Sequence, residues 1–118
     1  MKAYTDIEQS KKLAEILPLK SADMGLYYSH NPNAARNQMW VGTKAENANI
    51  PCWSLAALLD ILPNSIYNNT DEYSQLEFSK ISVAYRDMDD GIKVGSIKDN
   101  LVDACYEMIT HLHELKML

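Results

Sequence analysis

The stretch from Leu76 to Leu115, LEFSKISVAYRDMDDGIKVGSIKDNLVDACYEMITHLHEL, changes periodicity part-way along and decides the fold class. Leu76 and Phe78, then Ile81, Val83 and Tyr85, alternate with polar residues, the period-two pattern of half-buried strands. The alternation slips between Phe78 and Ile81, which predicts a bulge or a bend. Asp87-Met88-Asp89-Asp90-Gly91 supplies turn chemistry, and Ile92, Val94 and Ile97 form a return strand, so the segment predicts a hairpin. From about Asp99 the period becomes helical. Leu101, Cys105, Met108, Leu112 and Leu115 follow at spacings of four, three, four and three, and Val102 and Ile109 broaden the face. Asp99 or Asn100 suits the N-cap, Asp103 the first turn of the macrodipole and Lys116 its end.

The same two periods run upstream. Leu55 to Leu62 is apolar except for Asp60, with Ser54 as a natural N-cap and Pro63 as a stop, so a helix buried on more than one side is expected at the centre of the core. Asn64 to Asp71 is polar and reads as a loop. Leu26-Tyr27-Tyr28 and Met39-Trp40-Val41 favour strands, and Asn31-Pro32-Asn33 lies between them, which predicts a hairpin with a long loop. Loop chemistry returns at Lys44 to Asn49 and leads through Pro51-Cys52-Trp53 into the central helix. At the N-terminus Thr5 and Glu8 have the spacing of a capping box, and Ile7, Leu13, Ala14, Ile16 and Leu17 share one side of a helix over about 6–17 that Pro18 ends. The expected fold is α+β, one domain over 1–118, in the order α-β-β-α-β-β-α, with an antiparallel sheet packed by helices.

At 118 residues, 47% hydrophobic and 23% charged, with four Gly and four Pro, the chain has globular composition and is long enough for one core. It has no apolar run near the roughly 18–20 residues that cross a bilayer, and no signal-peptide pattern, so a cytoplasmic protein without membrane association is expected. The two cysteines, Cys52 and Cys105, lack the spacing of a zinc site and are expected as free thiols. Charge is uneven. Residues 1–59 carry six basic and five acidic groups, net +1, whereas residues 60–118 carry five and eleven, net −6. An acidic half repels phosphate, so direct nucleic-acid binding is not expected.

Each candidate chemistry has a plainer reading. Asp87, Asp89, Asp90 and Gly91 resemble a calcium loop, but positions six and twelve counted from Asp87 are Ile92 and Lys98, where an EF-hand needs Gly and a bidentate acid. Glu107, His111 and Glu114 share a helical face and would permit a weak divalent site, although such a face is ordinarily solvated; His111 and His113 point too far apart to chelate together. Cys52 precedes a helix N-terminus, which favours the thiolate, and His30 is the one histidine outside the last helix, so the two form the only dyad that can be constructed. Packing is the plainer role for Cys52, and Cys105 falls on the apolar stripe. Tyr27, Tyr28, Trp40 and Trp53 suit a ligand pocket but read first as core. Asn68-Asn69-Thr70 matches a glycosylation sequon, which carries no weight without a secretory signal. No cofactor-binding motif occurs. The last helix leaves Met108, Leu112 and Leu115 as interface candidates if part of its seam is not covered by the sheet.

Four segments carry a resemblance: Tyr4 to Leu13, Ser21 to Met24, Pro51 to Leu59, and Asn100 to Cys105 with Met108. They resemble a family of short uncharacterised open reading frames from gut-bacterial genomes, prophages and conjugative elements. The resemblance implies a mobile-element setting. That family has no established activity, so the resemblance assigns no site residue. With no competent catalytic constellation, the expected function is a non-catalytic protein-interaction module with an unknown protein partner or self-association. One alternative is an acidic mimic of nucleic acid that inhibits a basic host protein; another is a small thiol enzyme using Cys52.

Overall fold

The computed structural model describes residues 2–29, 38–67, 73–87 and 91–118. Among them are three α-helices and two antiparallel sheets, an α+β fold with helices packed on the sheets.

Helix α1 spans Ile7–Ile16. Its capping box is one residue later than the Thr5 and Glu8 pair. Asp6 accepts from the Gln9 N–H at 2.9 Å, and the Gln9 side chain accepts from the Asp6 N–H at 3.1 Å. Thr5 is committed to the core instead. Its hydroxyl accepts the Trp53 N–H at 3.2 Å and bonds the Ser10 hydroxyl at 2.8 Å.

Strand β1 (Met24–Ser29) pairs antiparallel with β2 (Gln38–Gly42), with Leu26 opposite Val41 and Tyr27 opposite Trp40. This is the first hairpin expected from sequence; its Asn31-Pro32-Asn33 connection lies outside the described residues. A third strand, β3 (Ile50–Cys52), pairs with the other edge of β1 where a loop was expected. Three residues offer too little alternation to betray a strand.

Helix α2 (Leu55–Ile61) starts where Ser54 accepts the Ala57 N–H at 3.2 Å and stops before Pro63. The polar stretch after it, read as a loop, contains strand β4 (Ser65–Tyr67), which pairs with β5 (Tyr73–Phe78). Strands β6 (Ser82–Asp87) and β7 (Gly91–Ile97) complete a sheet of order β4-β5-β6-β7. The period slip after Phe78 is therefore a turn between two strands, closed by the Ser79 N–H donating to the Ser82 carbonyl at 2.8 Å. The bulge lies further on, where Tyr85 faces Val94 but Arg86 faces Ile92. Met88-Asp89-Asp90, and with them the turn and calcium-loop readings, lie outside the described residues.

Helix α3 (Leu101–Glu114) begins at Asn100, whose side chain accepts the Asp103 N–H at 2.9 Å. It packs across β6 and β7 on one side and against α1 and α2 on the other. The centre of the core is consequently α3 and not α2. Val102, Ala104, Cys105, Met108, Ile109 and Leu112 of α3 are all buried, whereas within α2 only Leu58 is. Val83, Tyr85, Trp53, Leu13, Leu62 and Ile66 join them in the core cluster.

Candidate functional site

The sequence candidates scatter. Cys52 is wholly buried, and its thiol donates to the Thr5 carbonyl at 3.3 Å. His30, its imagined partner, lies outside the described residues, as does the Asn68-Asn69-Thr70 sequon. Cys105 is buried in the core, and loss of water around it pushes the thiol up to about 12. Glu107 is ion-paired with Lys98, and among the described residues no three His, Cys, Asp or Glu side chains could hold a metal ion, so Glu107, His111 and Glu114 do not converge. Met108 and Leu112 are buried core residues, which leaves Leu115 alone of the three interface candidates exposed. Trp53 is fully buried and donates its indole N–H to Ser21 at 3.0 Å. Tyr27 stacks on the exposed Trp40 with centroids 5.9 Å apart, but its hydroxyl is spent on the Lys44 and Glu46 carbonyls. Tyr28 belongs to β1, with its side chain outside the described residues.

The four-stranded sheet supplies what these residues do not. Val83, Tyr85, Val94 and Ser96 lie on the face that α3 covers, since they pair with one another across β6 and β7. Glu77, Ser82, Ala84, Gly95 and Ile97 belong to the opposite face by the same registers. No described element packs there. A groove of about 560 Å³ runs along it, lined among others by Glu77, Phe78, Ala84, Arg86 and Ile97. Arg86 donates to Glu77 at 2.9 Å across its floor. At the end where the β5–β6 turn meets the end of β7, three large apolar side chains stand in water: Ile97 is 74% exposed, Phe78 57% and Ile81 47%.

The outer edge of β7 adjoins this end. Lys98 N–H donates to the Ile81 carbonyl at 2.9 Å. Antiparallel ladders turn alternate residues to opposite sides, so Ser96 and Val94 direct their backbone groups to β6 while Gly95 and Ile97 direct theirs outward. No described strand lies beyond β7. Beside the edge, between β7 and α3, a crevice of about 110 Å³ is lined by Val94, Gly95, Ser96, Glu107, Met108 and His111. Ser96 is 4% exposed, and its hydroxyl has no hydrogen-bond partner among the described residues. A buried hydroxyl left unpaired costs about 1–3 kcal/mol. Lys98 at the rim is raised above its ordinary 10.5 by its hydrogen bond to Glu107.

Sequence reasoning missed Gly95, Ser96 and Ile97 as site residues. The available signal was the Gly91–Ile97 run, a strand without proline and with two glycines, but that it ends the sheet depends on strand order. No protein-family model matches the chain, and neither a curated protein nor a solved structure matches it.

Proposed function

We propose that this chain is a non-catalytic protein-interaction module that associates through its four-stranded sheet. The observation that carries this reading is the sheet end where Ile97, Phe78 and Ile81 are exposed beside a strand edge that no described strand pairs. Natural proteins blunt such edges with proline, inward charge or a covering element. Large apolar side chains standing in water at the end of a sheet mark a surface that is covered in the working state. Two unpaired, buried thiols support a reducing and hence cytoplasmic setting. No described helix is long and apolar enough to cross a membrane.

The test is affinity capture of the tagged protein from lysate of its source cell, nuclease-treated and washed at low and high salt. A protein held in stoichiometric amount by the wild type through the high-salt wash, and lost by a Phe78→Glu/Ile97→Lys variant, is the expected result. Equal retention by that variant, or loss of all binding at high salt, contradicts association through an apolar sheet surface.

A further inference from the structure

We infer that the chain associates head to tail with a second copy of itself, the apolar sheet end of one molecule seating in a groove beside the first turn of α1 in the next. This rests on the reading of the sheet end as an association surface and names its partner. Helix α1 packs on β3 and α3. Between its first turn and the three-stranded sheet a groove of about 510 Å³ remains, lined by Tyr4 and Ile7 from the N-terminal segment and by Leu26 and Val41 from the sheet. Leu26 and Val41 stand opposite each other across β1 and β2, so they present one apolar face to it. A concave, mostly apolar site of this size has room for several large side chains. The charged groups that line it are Asp6 and Glu8, and no described cation does.

The two surfaces complement each other in shape and in charge. The sheet end holds Ile97, Phe78 and Ile81 out in water, whereas the groove is recessed. Over 78–82 and 96–98 the only charged residues are Lys80 and Lys98, although the chain carries a net charge of −5. Glu107 holds Lys98, and Lys2 holds Asp6. One uncompensated charge is left at each surface: Lys80 at the sheet end and Glu8 at the groove are exposed and have no ion-pair partner among the described residues. Seating one surface in the other sets the Lys80 cation against the Glu8 carboxylate while the apolar side chains leave water together. The apolar burial supplies most of the attraction, since an exposed ion pair is weak, and the charges decide which surface meets which. None of β5, β6 and β7 packs on α1, β1 or β2 within one molecule, so a chain does not fill its own groove. The interface is heterologous. A contact led by three large side chains is small beside the roughly 1,200 Å² at which standard interfaces begin, so association varies with concentration.

The full chain is examined by sedimentation equilibrium from low-micromolar to near-millimolar concentration, with far-UV circular dichroism as a check on folding. The wild type is expected to self-associate. Lys80→Glu/Ile97→Glu, which alters the sheet end, and Tyr4→Lys/Glu8→Lys, which alters the groove, are each expected to weaken self-association at least about tenfold with unchanged spectra. An equimolar mixture of the two variants is expected to associate again, because one native sheet end and one native groove remain between them. An unfolded variant could not restore association in this way. A wild type monomeric throughout, self-association undiminished in either variant, or a mixture that associates no better than its components overturns the inference. A monomer that still captures a protein through Phe78 and Ile97 overturns the second copy alone and leaves the interaction reading intact.

Discussion

The ammonium of Lys2 lies 2.7 Å from the carboxylate of Asp103, although 101 residues separate them along the chain. The same carboxylate accepts from Gln9 at 2.8 Å and from Asn100 at 2.9 Å, and Lys2 also reaches Asp6 at 3.0 Å. One side chain in the first turn of α3 thus fastens the N-terminal segment, the start of α1 and its own helix cap together. Partial burial pushes the Asp103 carboxyl up, but the bonds from Lys2, Gln9 and Asn100 outweigh it and hold the group below its ordinary 3.8.

This arrangement makes stability acid-sensitive. A carboxylate held below its unfolded value contributes fully above that value, and the contribution is lost as pH falls through the folded one. Asp103→Asn should cost about 1 kcal/mol at pH 7, a modest figure because the pair is partly solvated. Urea denaturation of variant and wild type should converge as the pH is lowered from about 4. A difference that persists undiminished in stronger acid would mean that the charge is not what matters.

Met108 and Leu115 share the α3 stripe but differ in burial, and charge separates them. Met108→Glu places an unpaired charge among Val83, Tyr85 and Cys105 and should abolish cooperative folding. Leu115→Glu, at a position 46% exposed, should change stability by less than about 0.5 kcal/mol. Thermal melts of both variants decide the matter, and a folded Met108→Glu would contradict the placement of α3.

How far α3 was legible follows from those two residues. Its start, length and apolar stripe could be read from spacing, as could α2 between Ser54 and Pro63, because helix period and caps are local. Which part of the stripe would be consumed was not local. Met108 and Leu112 vanish into a core assembled by contacts far apart in sequence, and exposed apolar side chains appear instead at Phe78, Ile81 and Ile97. The same holds at smaller scale for Thr5. Its capping spacing to Glu8 was real, but its hydroxyl was claimed by Trp53 and Ser10, and the cap passed to Asp6. Strands β3 and β4 exist because β1 and β5 offer them edges, not because their own three residues alternate.

The glycines of the three-stranded sheet make a packing prediction. A Cβ on Gly25 would press on the Ala48 methyl and come within 2.6 Å of the Lys44 carbonyl, and one on Gly42 would come within 2.6 Å of the Tyr27 ring. Gly25→Ala presses on backbone and should cost about 1–3 kcal/mol in urea denaturation. Gly42→Ala presses on a side chain and should cost less. Equal stability of Gly25→Ala and wild type would mean that residues 44–48 are not held against β1.

Both thiols should resist modification in the native state. Cys52 and Cys105 are buried, and burial pushes the Cys105 thiol up to about 12, so alkylation at pH 8 must wait for an opening of the structure. Labelling is expected to be at least about a hundredfold slower than in urea, read by mass spectrometry. Rapid native labelling of Cys52 would instead revive the thiol-enzyme reading.

The most direct measurement of association through the four-stranded sheet is residue-resolved amide hydrogen exchange of the protein alone and in the complex it forms with a captured partner. The Gly95 and Ile97 N–H groups face the edge that no described strand covers and should exchange freely in the free protein, then become protected in the complex. The Ser96 N–H faces β6 and should be protected in both. Gly95 and Ile97 exchanging at the same rate in both states would contradict association at this end of the sheet.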